Sequence, residues 1–552
     1  MRLYKNFYVH KNMLLVREVK DGRDNRYKVP VKPSYYFVTN KPSEHKSVYK
    51  ENLIKMDFES QYDARDWFKQ YDSMKHKIYG FPNYEYNIIH QEYPGDVTTL
   101  FSMDLMTVAI FDIETEAEGR IYQKSHIIKV KNSFEQTMTI GQFEKMNTTN
   151  YLVYDVPTAE WVTYKESCYY PKGAWPNHEL ANEEINLISI SLKGNGHTGL
   201  IKCFGTKPAS VYKDDEEYIE CEDEKDLLIQ FTNHWMQNYP DCISGWNTSG
   251  FDIGYLIKRL EIVVGEDFAK NLSPWKLITS KKTKNDFGKE ITKYEIIGIN
   301  QFDYLELYKK FTYSVSESYK LDYIASVELN DKKVEYDCSF RELYTNYWQA
   351  FVDYNIHDVR LVRKLEDKMG LLALAHAIMY KAKVSAPDVF TTVRIWDVII
   401  SNALSLRNIQ VPTFLRPSGE ATKYGGGYVK DPITGFYKWL VSIDATSLYP
   451  SIERTLDISP ETMLDPIEFI TLTADDVVNR TERFEIASQK AKSLNACLAA
   501  NGAMFNKTSQ GIIPELNEFY FNQRVVEKKL GKDYEKAAAN IAKILADRGI
   551  TV

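Results

Sequence analysis

The sequence predicts a mixed α/β and α+β fold divided among several domains, and three observations lead there. The chain has 552 residues, and single hydrophobic cores rarely grow past about 250–300 residues. Its composition is that of a globular protein, 44% hydrophobic and 26% charged, without a low-complexity block. Its central part alternates strand-like and helix-like runs, the pattern of a sheet covered by helices.

The elements follow in order. The first hundred residues alternate like strands: NFYVHKNMLLVREVK runs into DGRDNR, a turn signal, and a second alternating run comes after it. Around Tyr62 to Met74 the period becomes helical, which makes residues 1–105 a small α+β domain without obvious chemistry. A second unit starts near Met106 with the strand TVAIFDIE, then a long polar stretch of weak periodicity, Ala117 to Glu184. INLISISLK and GLIKCFG read as strands, EKDLLIQFTNHWMQNY as a helix, CISGWN as a strand and FDIGYLIKRLEIV as a helix. A hairpin is expected around Asn285 to Gly288, and a long helical region from Ser339 to about Lys383. After Pro412 come the glycine-rich KYGGGYV, the strand KWLVSIDAT and a mainly helical tail. The expected domain limits are 1–105, 106–340, a helical connection at 341–412 packing on the first domain, 413–508 and 509–552.

A net charge of −7 and a pI near 5.9 argue against a basic nucleic-acid coat, though not against a locally basic channel. Six cysteines (Cys168, Cys203, Cys221, Cys242, Cys338 and Cys497) are scattered without a C-x-x-C pair. That spacing suits free thiols in a reducing cytoplasm, not a zinc site or a disulfide framework. The opening residues are polar and aromatic, so no signal peptide is expected. The most apolar stretch, Gly370 to Tyr380, is far short of the roughly 20 residues that span a bilayer. Gly194, Gly196 and Gly199 spell G-x-G-x-x-G, but a strand follows instead of the helix a dinucleotide site needs, so a hairpin turn is expected.

The chemistry lies in carboxylates. Asp112 and Glu114, in FDIE, are two residues apart on an apolar strand and project from one face. A metal ion is the commonest partner that suits two such acids. Asp252 sits where a strand gives way to a helix, and Asp358 lies four residues after Tyr354 on a helix, sharing its face. Four such carboxylates can hold two divalent cations.

F-D-I-E, N-x-x-x-F-D and Y-x-x-x-D, in that order, resemble the three exonuclease motifs of family B DNA polymerases. The resemblance implies a ribonuclease H-like 3′→5′ exonuclease domain in which Asp112, Glu114, Asp252 and Asp358 hold two Mg²⁺ ions, with Mn²⁺ as a substitute. Tyr354 would orient the attacking water, and Asn247 and Phe251 would shape the site around the DNA end. FDYLELYKKF followed by SYKLDYIASVELN, and the position of the expected hairpin, resemble the phage branch of the family.

DATSLYPSIE, starting at Asp444, resembles motif A of the polymerase site. That implies Asp444 as a metal ligand at the end of the strand KWLVSID. The turn Ala445 to Leu448, Ser447 included, would offer N–H groups to a triphosphate, and Tyr449 would lie under the incoming sugar. KYGGGYV resembles the Y-x-G-G motif, which places Tyr424, Gly426 and Gly427 near the template strand. Arg524 and Lys528, one helical turn apart, would grip phosphates from the start of the fingers. The family's K-x-x-x-N-S-x-Y-G and Y-x-D-T-D-S strings do not occur here, so half of the palm's cation cage is lacking.

The expectation is therefore the N-terminal piece of a split phage-type polymerase, with a partial palm and the start of the fingers. It would act on primer-template DNA, single-stranded 3′ ends and dNTPs, in the cytoplasm (the host's, if phage-encoded) and away from membranes. A complementary C-terminal polypeptide would be needed for synthesis. The alternatives are a stand-alone 3′→5′ exonuclease and a non-catalytic DNA-binding scaffold.

Overall fold

The computed structural model describes residues 2–95, 97–116, 127–143, 145–146, 152–155, 160–163, 176, 180–284, 290–312, 315–331, 338–413 and 431–548. They form two compact units: Met1–Val31 with Ile88–Trp396, and Lys32–Asn87 with Asp397–Val552.

The first unit is built on a six-stranded mixed sheet. Its strands are β1 (Val108–Thr115), β2 (Ile185–Gly194), β3 (His197–Gly205), β4 (Glu216–Glu220), β5 (Cys242–Ser244) and β6 (Asn300–Gln301), in the order β4-β3-β2-β1-β5-β6. β1, β2 and β3 run antiparallel in succession, while β4 pairs parallel with β3, and β5 parallel with β1 and β6. This is the α/β core the alternating pattern predicts. β1 and β2 are buried along most of their length, hence the near-continuous apolar runs. Helix α1 (Glu224–Gln237) is capped by Asp223, which accepts from the Asp226 N–H, and buries Leu227, Leu228, Phe231 and Trp235. Helix α2 (Asp252–Val263) adds Ile253, Tyr255, Leu256 and Leu260 to the same core as Phe111, Ile188 and Ile190. Helices α3 (Tyr304–Phe311) and α4 (Trp348–Met369) follow, and Gly370, in the left-handed region at φ 62°, separates α4 from a third helix, Leu371–Ala382.

The G-x-G-x-x-G string is a hairpin, as expected: β2 ends at Gly194 (φ 83°) and β3 begins at His197. A Cβ at Gly194 would stand 2.3 Å from the Met106 carbonyl oxygen, so that position needs glycine for space as well as conformation. Strands Ile278–Lys284 and Glu290–Ile296 pair antiparallel, and the tip of that expected hairpin lies outside the described residues. The polar stretch after β1 contains a four-stranded antiparallel sheet, Ile127–Lys131, Glu135–Thr139, Leu152–Asp155 and Glu160–Thr163. Its weak periodicity hid these strands because they are short and only Ile128, Val130 and Val153 among their described side chains are buried.

The opening run forms two strands. Arg2–His10 and Met13–Lys20 turn at Lys11 (φ 54°) and are joined by Arg23–Pro30 in an antiparallel sheet. A register shift between Tyr4 and Asn6 makes Lys5 a bulged residue and turns its side chain inward, 1% exposed. There Lys5 Nζ lies 2.6 Å from Asp241 Oδ2, and Arg17 Nη2 lies 2.7 Å from Asp241 Oδ1. Asp241 is fully buried and also accepts the Thr107 N–H at 2.9 Å.

In the second unit, Ser34–Val38, His45–Ser47, Asn52–Asp57, Ile78–Tyr79 and Ile409–Gln410 form a five-stranded sheet. Tyr35, Ala64 and Ile78 form a small core beside it. The helical tail is as expected, with α5 (Leu448–Leu456) and the 36-residue α6 (Ile512–Asp547). The expected strand KWLVSIDAT is not formed: residues 438–445 carry no strand, and Trp439 is 98%, Val441 79% and Ile443 91% exposed. A strand needs a neighbour to take its N–H and C=O groups, and among the described residues none pairs with it. Cys203, Cys221, Cys242 and Cys497 are buried free thiols. No described helix is long and apolar enough to cross a membrane.

Two stability measurements check this packing. Asp241→Ala leaves two buried cations without their shared carboxylate, so chemical denaturation should register a loss of roughly 3–5 kcal/mol. His376, wholly buried against Phe101 and Phe302, donates from Nδ1 to the Leu372 carbonyl, and burial holds its pKa down to about 4. Its folded pKa is below the unfolded value, so protons bind the unfolded state first as pH falls. Stability should drop between pH 6.5 and 4 by roughly 3 kcal/mol from this residue, and His376→Leu should remove that share of the acid sensitivity.

Candidate active site

The carboxylates gather on one side of β1. Asp112 faces Ser189 and Glu114 faces Leu187 across the β1–β2 ladder, both half-buried. Asp358 projects from α4, which packs on β1, and is 5% exposed. One oxygen from each of Asp112, Glu114 and Asp358 lies within 4.8 Å of the other two. Tyr354 stands one helical turn before Asp358 on the same face of α4.

Asp252 starts α2 and is also buried, 4% exposed, but it is not one of the three gathered oxygens. Its Oδ1 accepts at 3.1 Å from the N–H of Ile113, the residue between Asp112 and Glu114. Burial, with the charges of Asp303 and Asp358 nearby, pushes its pKa up to about 7. A cation shared among these groups would reverse that balance.

The sequence reading missed Asn355. It is fully buried, its Nδ2 donates to Asp112 Oδ2 at 2.8 Å, and its Oδ1 accepts no hydrogen bond within the described structure. Three residues before Asp358 on a helix is a same-face spacing, so the signal was present, hidden beside the more conspicuous Tyr354. An all-oxygen donor set with an orphaned amide oxygen beside it fits a hydrated hard cation such as Mg²⁺ or Mn²⁺.

Asn247 and Phe251 belong to the loop between β5 and α2. Asn247 sits at φ 64°, and its carbonyl accepts from the N–H groups of Gly250 and Phe251 at 3.0 and 3.1 Å. Phe251 is the residue before α2 and turns inward against Tyr255, ring centroids 5.1 Å apart.

In the second unit, Asp444 and Ala445 lie on the exposed chain leading to α5, with Ser447 (φ 51°) immediately before the helix. Leu448 and Tyr449, 50% and 76% exposed, form its first turn, where backbone N–H groups have no intrahelical partner. α6 packs against α5 and brings Arg524 Nη1 to 3.4 Å from Ser447 Oγ; Lys528 follows one turn later, exposed. Tyr424, Gly426 and Gly427 lie outside the described residues.

The acidic cluster generates a binding prediction. Mn²⁺ should raise the melting temperature saturably, and Asn355→Ala should raise the half-saturating concentration by roughly 10–100-fold. An unchanged half-saturation would separate Asn355 from cation binding.

Comparison with known proteins places this arrangement. The model of the DNA polymerase family B exonuclease domain matches residues 70–324, and that of DNA polymerase family B matches residues 391–547. The DNA-directed DNA polymerase of Escherichia phage RB69 is 29% identical over 530 residues, which is 96% of this chain and 53% of that protein. The DNA-directed DNA polymerase of Enterobacteria phage T4 is 28% identical over 554 residues, 98% of this chain and 56% of that protein. DNA polymerase 1 of Sulfurisphaera ohwakuensis is 26% identical over 332 residues, 56% of this chain and 36% of that protein. The chain thus spans about half the length of the phage relatives it matches. It carries the exonuclease domain and polymerase-domain sequence together, and it belongs to family B of the DNA polymerases, on the tailed-phage side.

Proposed function

We propose that the chain is a divalent-cation-dependent 3′→5′ DNA exonuclease that also contributes motif A to a DNA polymerase site. The observation that carries the nuclease reading is the meeting of Asp112, Glu114 and Asp358 oxygens within 4.8 Å, with Asn355 bonded to one of them. Asp112, Glu114 and Asp358 would hold the cations, two Mg²⁺ ions in this reading, with Asp252 behind them as a further negative charge. Bound there, such ions make water more acidic and offset negative charge at a phosphodiester. Tyr354 would orient the water whose oxygen attacks phosphorus as the P–O3′ bond breaks. A 5′-mononucleotide leaves, and the shortened strand keeps a 3′-hydroxyl. Asn247 and Phe251 would shape the pocket for the terminal nucleotide.

For the second site, Asp444 would be a cation ligand of the palm and Tyr449 the residue under the incoming sugar. The N–H groups at the start of α5, with Arg524 and Lys528, would bind the triphosphate. The closeness of Arg524 to Ser447 supports this, because it sets a guanidinium beside the helix N-terminus where an anion is favoured. The Y-x-D-T-D-S string is not among the 552 residues. The reading therefore assigns primer extension to an assembly with the polypeptide segment that carries it.

Two assays follow. A 5′-labelled single-stranded oligonucleotide should shorten from its 3′ end with Mg²⁺, and Asp112→Ala should slow this by at least about 10³-fold; equal trimming by both proteins would sink the nuclease assignment. Adding the complementary segment should allow primer extension that Asp444→Ala abolishes, and extension indifferent to that change would remove Asp444 from the site.

A further inference from the structure

Asp303 is 2% exposed and immediately precedes α3, so its plainest role is helix capping: its Oδ1 accepts the Leu305 N–H at 3.0 Å. It does more than that. Oδ1 also accepts the Asn247 N–H at 3.0 Å, and Oδ2 accepts the Ser249 N–H at 2.9 Å. Beside it, the Tyr304 N–H donates to the Gly245 carbonyl at 2.9 Å. The loop from β5 to α2 is therefore fastened to the start of α3 at Gly245, Asn247 and Ser249.

That loop has little slack. Asn247 holds a left-handed conformation, and a Cβ on Gly250 would stand 2.5 Å from Asn247 Oδ1. A Cβ on Gly245 would stand 2.5 Å from the carbonyl oxygen of Phe111, the residue before Asp112. Downstream, the loop delivers Asp252, whose oxygen meets the Ile113 N–H. A displacement at Asn247 or Ser249 is passed on to the strand bearing Asp112 and Glu114 and to Asp252 together.

We propose that Asp303 is a positioning residue of the exonuclease site, its carboxylate fixing the loop that sets Asn247 and Asp252 against β1. The proposal rests on the exonuclease reading above. It separates from plain capping because asparagine caps helices about as well as aspartate. Asp303→Asn would keep the Leu305 bond, but its amide would set a donor against one of the two loop N–H groups.

The test uses the full chain and Asp303→Asn, with three readouts: hydrogen exchange of residues 246–251, Mn²⁺ half-saturation from the melting temperature, and oligonucleotide trimming. Expected are faster exchange in this loop alone, a weaker Mn²⁺ half-saturation, and a kcat lower by about 10²-fold with KM for the oligonucleotide little changed. Wild-type exchange and kcat in the variant would overturn the proposal and leave capping as the sole role. Fast exchange with an unchanged half-saturation and kcat would also overturn it, since the loop would then not position the site. A wild type that trims nothing would remove the exonuclease reading, a failure distinct from a trimming wild type matched by its variant.

Discussion

One buried carboxylate holds the first unit in register. Asp241 is the last residue before β5, and it accepts the N–H of Thr107, the last residue before β1. The two central parallel strands are thus tied at their starts, and everything that leaves their far ends inherits that alignment. A buried charge is tolerable only when it is compensated, and Lys5 and Arg17 from the N-terminal sheet supply the compensation. Arg17 also donates to the carbonyls of Pro240 and Gly298, so the same guanidinium satisfies backbone groups at the start of β5 and just before β6. The N-terminal strands therefore belong to the exonuclease core electrostatically, although they lie far from it in sequence.

At the other end of β1 the electrostatics are reversed. Asp112, Glu114 and Asp358 bring like charges together, with Asp252 close behind them. Elsewhere in the unit opposite signs meet, as Glu224 and Arg259 do between α1 and α2. Like charges gathered between a strand and a helix are what a cation site requires and what stability alone disfavours.

Much of this was legible in the sequence because it depends on period and spacing. Two-residue spacing put Asp112 and Glu114 on one face, and four-residue spacing put Tyr354 and Asp358 on another. The hairpin at Gly194 to Gly199 was readable from the strand that follows it. What escaped was set by long-range contact. Asn355 and Asp303 act through bonds to residues distant in sequence, and no local pattern marks a side chain for such a partner. Nothing local in the sequence marks Lys5 for burial, and only the bulge turns it inward. The error at KWLVSIDAT has the opposite cause: the segment has strand composition, but strand formation is a property of pairs.

That unpaired segment has a colloidal consequence. Trp439, Leu440, Val441 and Ile443 form a short, β-prone, uncharged run with high exposure, the kind of sequence that recruits copies of itself into stacked sheets. Lys438 and Asp444 flank it, and charges in those places act as gatekeepers against such stacking. Asp444, proposed above for the polymerase site, is thus also the charge that closes this apolar run, and a substitution that neutralises it should lower solubility whatever it does to activity.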